Sequence, residues 1–367
     1  MASYIIYMGA FLISIWFSHQ YQMSELKRIS SKPTIHLSQY VWFVVVFASP
    51  ILIATYRFGV GTDYFTYLSI YQGYSNLGFI SPRHLSVEYG YYLINFIADY
   101  LFNDFSGVLF LSSLITLLFF FLSINKFKTQ ISIAFSLFIL FMTLFPPMFN
   151  GIRQLIAVSV VMYAFSYIKK GGFFKFLILV VAASFFHRTA LICLPLYFFV
   201  GGIETRLSSL KKIMFFLMLA GAIFLLPLIF DFLGAFSFFK DYFMNYEIGS
   251  DSKVINQILL RLPVLIPILI NSRKLIENNN KYEFYIYLFI LEILFIFVGA
   301  YYVWGVRLTY YTMTAQVILV PAIVRNISDK NKKLLLSFYF ICWYIFYFIY
   351  LFSLKGNDGI FPYRFLN

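Results

Sequence analysis

Residues 107–146 read GVLFLSSLITLLFFFLSINKFKTQISIAFSLFILFMTLFP, and this stretch decides the fold class. Two apolar runs, 107–125 and 130–146, flank a short break that carries Lys126 and Lys128. A bilayer crossing by α-helix needs roughly 17 to 25 apolar residues, so the pattern is one span, a basic loop, and a return span. The same alternation extends in both directions along the chain. Apolar runs predict further spans at 2–18, 39–56, 151–168, 172–186, 188–201, 212–230, 255–271, 283–302, 306–324 and 332–352. Composition agrees. Hydrophobic residues make up 61% of the 367 positions and charged residues 12%, against roughly 25% charged in soluble domains. The expectation is an all-α polytopic membrane protein of about 12 transmembrane helices, forming one domain over 1–367, with external segments 57–106 and 231–254. No Lys or Arg precedes Lys27, so the first run lacks the basic start of a signal peptide and reads as a retained span.

Charge gives the orientation. The net charge of +13 suggests nucleic acid only in a soluble protein; here loop Lys and Arg set topology. Counting spans places 18 of the 28 basic residues on one side, from Lys27 and Arg28 through Lys126, Lys128, Lys281 and Arg325 to Lys333. That side is read as cytoplasmic, with both termini outside. The parity also divides residues 172–201, which basic loops flank on a single side. They must go in and come back, turning near His187, as two arms too short for full crossings. Broken backbone of this kind is tolerated where it lines a protein cavity.

The remaining ten basic residues fall outside, and seven of them are Arg, against four of the eighteen inside. Topology asks only for positive charge on the inside, so outer arginines need another cause. Guanidinium holds phosphate oxygens bidentately, and ammonium does not. Arg153, Arg188, Arg261 and Arg307 each sit near the outer, N-terminal end of an inward-running span, where helix dipoles favour anions. Pro146 and Pro147 end one helix, Asn150 is a good N-cap for the next, and Arg153 follows in its first turn. Snorkelling or pairing with acidic residues is the competing reading for each arginine. Together they point to an anion carried on a lipid, a phosphate or pyrophosphate.

Other motifs carry candidate chemistry. In YRFGVGTDYFTY (56–67), Gly59 and Gly61 permit tight turns that bring Arg57 near Asp63. In VEYGYYLI (87–94), Glu88 is a general base or a counter-ion, at the start of an amphipathic stretch, 87–102, expected to form a surface helix. In FFHRTAL (185–191), His187 stands beside Arg188 and Thr189 at a membrane break. Glu292 lies mid-span, where carboxylates are functional suspects, or neutralises Arg261 or Arg307. Cys193 and Cys342 read as small hydrophobes in apolar runs, with no metal spacing around them.

The set RFGVGTDYFTY, VEYGYY, NGIRQLIAVS, KFLILVVAASFFHRTAL and WGVRLTYY, in that order over roughly residues 40–325, resembles the EpsG family of Wzy-type polysaccharide polymerases. One departure is Glu88-Tyr89-Gly90, where the family often has Pro after the Glu. The resemblance implies a bacterial inner-membrane glycosyltransferase with a GT-C-like architecture and a periplasmic active site. It would polymerise O-antigen or capsule repeat units carried on undecaprenyl pyrophosphate. It implies lipid-linked oligosaccharide donor and acceptor as partners, alongside membrane lipids and a chain-length regulator protein, with no nucleotide sugar, no cofactor and no nucleic acid. Motif by motif it touches Arg57, Asp63, Glu88, Arg153, Gln154, His187, Thr189 and Arg307. The expected proton acceptors are Asp63, Glu88 and His187; the expected substrate-binding residues are Arg57, Arg153, Gln154, Arg188, Thr189, Arg261 and Arg307; no metal is expected. A lipid-linked glycan ligase and a lipid-oligosaccharide flippase are the alternatives.

Overall fold

The computed structural model describes residues 2–30, 38–77, 87–168, 171–200, 217, 221, 251–301 and 303–366. Its elements are helices, apart from one isolated antiparallel bridge between Arg57 and Phe365. In chain order they are α1 (Ala2–Ser30), α2 (Ser38–Thr55), α3 (Tyr64–Leu77), α4 (Tyr89–Phe102), α5 (Phe105–Asn125), α6 (Ile133–Thr143), α7 (Ile152–Ala164), α8 (Phe173–Ser184), α9 (Leu196–Val200), α10 (Asp251–Leu259), α11 (Leu262–Asn278), α12 (Lys281–Tyr301), α13 (Val303–Arg325) and α14 (Lys330–Phe348). Short 3₁₀ turns at Pro146–Phe149, Phe165–Tyr167, Arg188–Cys193 and Asn357–Gly359 and a π-helix at Ile349–Leu354 complete the described set.

Four of these helices are long and apolar enough to cross a membrane, those at Ala2–Lys27, Phe105–Asn125, Lys281–Gly299 and Lys330–Leu354. The protein is therefore polytopic. Several expected spans fold as shorter apolar helices of 10 to 17 residues, including Ile133–Thr143 and Ile152–Tyr167. Pro146 and Pro147 cut the apolar run there, because proline removes a backbone donor and clashes with the preceding turn. Apart from residues 217 and 221, the expected span 212–230 lies outside the described residues, as do most of segment 231–254 and two of the ten outer basic residues, Arg83 and Lys240.

Amphipathic faces follow helical spacing. On α14, Leu334, Leu335, Phe338, Ile341 and Ile345 are exposed, a stripe at intervals of three and four suited to lipid. Phe340, Tyr344, Tyr347 and Phe348 face the core. Pro267 inside α11 displaces the carbonyl of Pro263 from the helix ladder, and Tyr339 of α14 donates to it at 2.8 Å. Such external partners are what make proline tolerable in an apolar span. Helices α12 and α13 pack as a near-loopless hairpin around Gly305, where a Cβ would lie 2.7 Å from the Gly299 nitrogen.

The loops sort into two ends. At one, Gln22 donates to the carbonyls of Lys128 and Ile131 at 2.6 and 2.7 Å, Lys128 pairs with Glu25 at 2.6 Å, Asn279 donates to Gln130, and Arg325 to the Ile131 carbonyl. This is the lysine-rich set. At the other, the backbone nitrogens of Phe58 and Gly61 donate to the carbonyls of Arg364 and Gly359 at 2.9 Å each. There the C-terminal segment lies back against the loop after α2, and Tyr7 of α1 donates to the Ile360 carbonyl. Both cysteines are free; Cys193 is buried as expected, while Cys342 lies exposed on α14.

Candidate active site

The arginine-bearing end gathers four segments far apart in sequence. Glu88 is the N-cap residue of α4 but makes no cap hydrogen bond with its side chain. The carboxylate instead reaches across to Arg153 Nη1 at 2.5 Å and to His187 Nδ1 at 3.2 Å. The backbone brings these together: Gly90 nitrogen donates to the Phe185 carbonyl at 2.7 Å, and a Cβ on Gly90 would lie 2.8 Å from that oxygen. Glycine after Glu88-Tyr89 is thus what lets α4 touch the turn between α8 and the 3₁₀ helix. That turn falls at the expected place, with His187 heading Arg188–Cys193.

Electrostatics follow from this packing. Burial pushes Glu88 upward, yet the His187 hydrogen bond and the Arg153 charge outweigh it and bring the carboxyl down to about 2. Burial lowers His187, partly opposed by Glu88. Glu88 is therefore an ionised counter-ion, each of its two oxygens held by one partner. Of the two readings open from sequence, base or counter-ion, the geometry matches the second. Arg153 retains one unused donor: its Nε is buried with no hydrogen-bond partner among the described residues.

Gln154 donates to the Arg307 carbonyl at 2.9 Å, which ties the start of α7 to α13. Arg307 itself is exposed. Thr189 and the Tyr311 hydroxyl share a hydrogen bond of 3.0 Å, joining the broken helical pair to the same helix. Arg188 is exposed beside them.

Two expected anion ligands are placed differently. Arg57 is 2% exposed and points inward. It donates to the carbonyls of Ala54 and Phe149 at 3.2 and 2.8 Å and also to that of Val60, and it lies 4.5 Å over the Phe149 ring. Expected to meet Asp63, it instead staples three backbone segments, because a buried guanidinium must spend its donors on whatever acceptors surround it. Gly61 makes room for it: with φ at +101°, a side chain there would meet the Phe149 carbonyl at 2.5 Å. Arg261 is also buried, donating to Glu292 at 2.8 Å and to Gln257 at 2.5 Å. Gln316 completes the network, donating to Glu292 and accepting from Tyr344. Glu292 thus neutralises Arg261, one of the two readings open from sequence.

The expected N-cap at Asn150 is a third correction. Gly151 occupies that position. The Asn150 side-chain Oδ1 accepts from the Thr62 hydroxyl at 2.5 Å and the Asp63 backbone nitrogen at 3.0 Å, and its Nδ2 donates to Asp358 at 3.2 Å. Asp358 is a site residue that the sequence reading missed. The turn-forming run Gly356-Asn357-Asp358-Gly359 was the available signal. Tyr67, hydrogen-bonded to Arg153, was missed too, as one of 30 tyrosines. Among the described residues no three His, Cys, Asp or Glu side chains are grouped to hold a metal ion.

The EpsG family model matches residues 40–365. The chain belongs to the EpsG family. The match covers every segment of the site, including the C-terminal strap with Asp358, beyond the reach of the motifs noted from sequence. Family membership indicates a membrane-embedded, glycosyltransferase-like polysaccharide polymerase. No curated protein and no solved structure matches the chain.

Proposed function

We propose that this EpsG-family protein joins oligosaccharide repeat units carried on undecaprenyl pyrophosphate, at the periplasmic face of the bacterial inner membrane, by metal-independent transfer on a GT-C-like scaffold. The observation that carries this reading is the convergence of Arg153, Arg307, Glu88 and His187 from four distant segments at the lysine-poor end of the helices. Arg153, with its unused buried donor, and exposed Arg307 and Arg188 hold the donor diphosphate; Gln154 and Thr189 fix their helices in register. Arg57 and Arg261 act from behind, one locking the 57–63 loop and the other seating α11.

The acceptor hydroxyl attacks the anomeric carbon, its oxygen forms the new glycosidic bond, and the bond to the diphosphate oxygen breaks with the electron pair leaving on the diphosphate. Fixed guanidinium donors stabilise that departing charge, as preorganised donors do elsewhere at about 100- to 1000-fold per donor. Of Asp63, Glu88 and His187, Glu88 is occupied as counter-ion, so the proton passes to another group.

Purified protein, lipid-linked repeat units and a chain-length gel test the reading. A ladder of products supports polymerase activity. A single transfer points to a ligase. Unchanged substrate in detergent, with movement only across a sealed bilayer, points to a flippase.

A further inference from the structure

The polymerase reading leaves the proton acceptor unassigned, and the C-terminal strap supplies a candidate outside all the motifs noted in the sequence. The strap turns sharply just after the π-helix. Gly356, Asp358 and Gly359 all have positive φ, at 67°, 60° and 59°. Aspartate at φ 60° is in a region that few side chains other than Asn and Asp visit. The turn is clamped in place: Gly61 nitrogen donates to the Gly359 carbonyl at 2.9 Å, and a Cβ on Gly359 would lie 3.2 Å from the Thr62 backbone nitrogen. The strained residue is thus presented by two ordered loops rather than left on a free tail. Its carboxylate accepts from Asn150 at 3.2 Å, and Asn150 holds Thr62 and Asp63 with its other end.

The charged and titratable groups acting on Asp358 come from three other elements. Asp63 lies on the 57–63 loop, Arg307 and Tyr310 on α13, and Tyr347 on α14. Arg307 is the guanidinium assigned above to the diphosphate. A cavity of about 460 Å³ has walls that include Gln257, Val306, Lys355 and Asn357. Val306 immediately precedes Arg307, and Asn357 immediately precedes Asp358. A polar-rimmed space of this volume, walled in part by the chain neighbours of Arg307 and Asp358, is where an acceptor sugar would meet the donor.

Resting on the polymerase reading, we infer that Asp358 is the general base, taking the proton of the acceptor hydroxyl while Asn150 fixes its carboxylate and Asp63 stands as its unreacting neighbour. Burial and the nearby Asp63, opposed by Asn150 and Arg307, hold this carboxyl up at about 6, in the range where a base is ionised yet still basic at neutral pH. The proton moves from the hydroxyl to the carboxylate as the hydroxyl oxygen bonds the anomeric carbon and the diphosphate departs.

The experiment is elongation of lipid-linked repeat units by full-length wild type, Asp358→Asn and Asp358→Glu across pH, with diphosphate-lipid binding measured in parallel. Wild-type kcat should rise through about pH 6. Asp358→Asn should lose about 100-fold or more at neutral pH, lose the rise, and still bind the lipid diphosphate. Asp358→Glu should recover part of the rate with a displaced rise, which a residue that merely holds the turn would not do. Asp358→Asn elongating like wild type, with the rise unmoved, overturns the assignment. So does an Asp358→Glu variant that binds the lipid yet is as inactive as the amide. Wild type that makes no polymer at all overturns the polymerase reading itself, and the base assignment with it.

Discussion

At the scale of single residues, the site rests on chemistry that only one side chain can supply at each position. Arg153 is asked to pair with Glu88 and still offer a donor to the substrate, which a planar fork can do and a point charge cannot. Arg153→Lys should therefore lose nearly as much elongation as Arg153→Ala; full activity in the Lys variant, read on a chain-length gel, would count against the diphosphate clamp. Glu88 makes a second prediction. Its carboxyl is depressed from 4.5 to about 2 in the folded protein, so its stabilising contribution is complete above the unfolded value and disappears as the pH falls toward 2. Melting in detergent should drop between about pH 5 and pH 2, and Glu88→Gln should flatten that drop while lowering stability near neutrality. The arginine enrichment outside was legible from residue counts. Which arginines turn inward was not, because the burial of Arg57 and the exposure of Arg188 depend on what packs over each.

At the scale of elements, the loop 57–63 and the C-terminal strap form one structural unit. Gly61 is the residue on which it turns, since a Cβ at φ +101° both strains the backbone and strikes the Phe149 carbonyl. Gly61→Ala should cost about 1–3 kcal/mol in detergent unfolding and displace Asp63, Asn150 and Asp358 together. Stability and elongation falling in parallel would bear this out, whereas an Ala variant with wild-type melting would show the contact to be slack. Helix existence and the break at Phe185–His187 could be read from apolar runs and charge parity. The Asn150 bridge could not, because Asn before a helix is first a capping residue by local rules, and its actual partners lie 88 and 208 positions away.

At the scale of the whole molecule, two features hold the scaffold. The first is the buried Arg261–Glu292 pair, 4% and 0% exposed. Removing one partner from such a pair typically costs about 3–5 kcal/mol, because a lone charge is left in an apolar core, while replacing both by apolar residues is often harmless. Glu292→Gln should thus destabilise strongly, and Arg261→Met with Glu292→Met should melt closer to wild type. A double variant that melts below both single variants would argue for a role other than scaffold. The second is the sorting of loops into two ends, which the positive-inside rule converts into sidedness. In a variant lacking Cys193 and Cys342, a membrane-impermeant maleimide should label Arg364→Cys on spheroplasts, and Lys332→Cys only after permeabilisation. The reverse pattern would place the site in the cytoplasm.

From the sequence alone came the membrane class, the approximate helices, the alternation of basic loops and the motifs that resemble the EpsG family. These depend on local composition and periodicity, which water and lipid read one segment at a time. Tertiary structure decided which charged and polar groups meet: Glu88 with Arg153 and His187, Glu292 with Arg261, Asp358 with Asn150. Buried charge has to find its partner wherever packing places one, and in a bundle of helices that partner comes from anywhere along the chain.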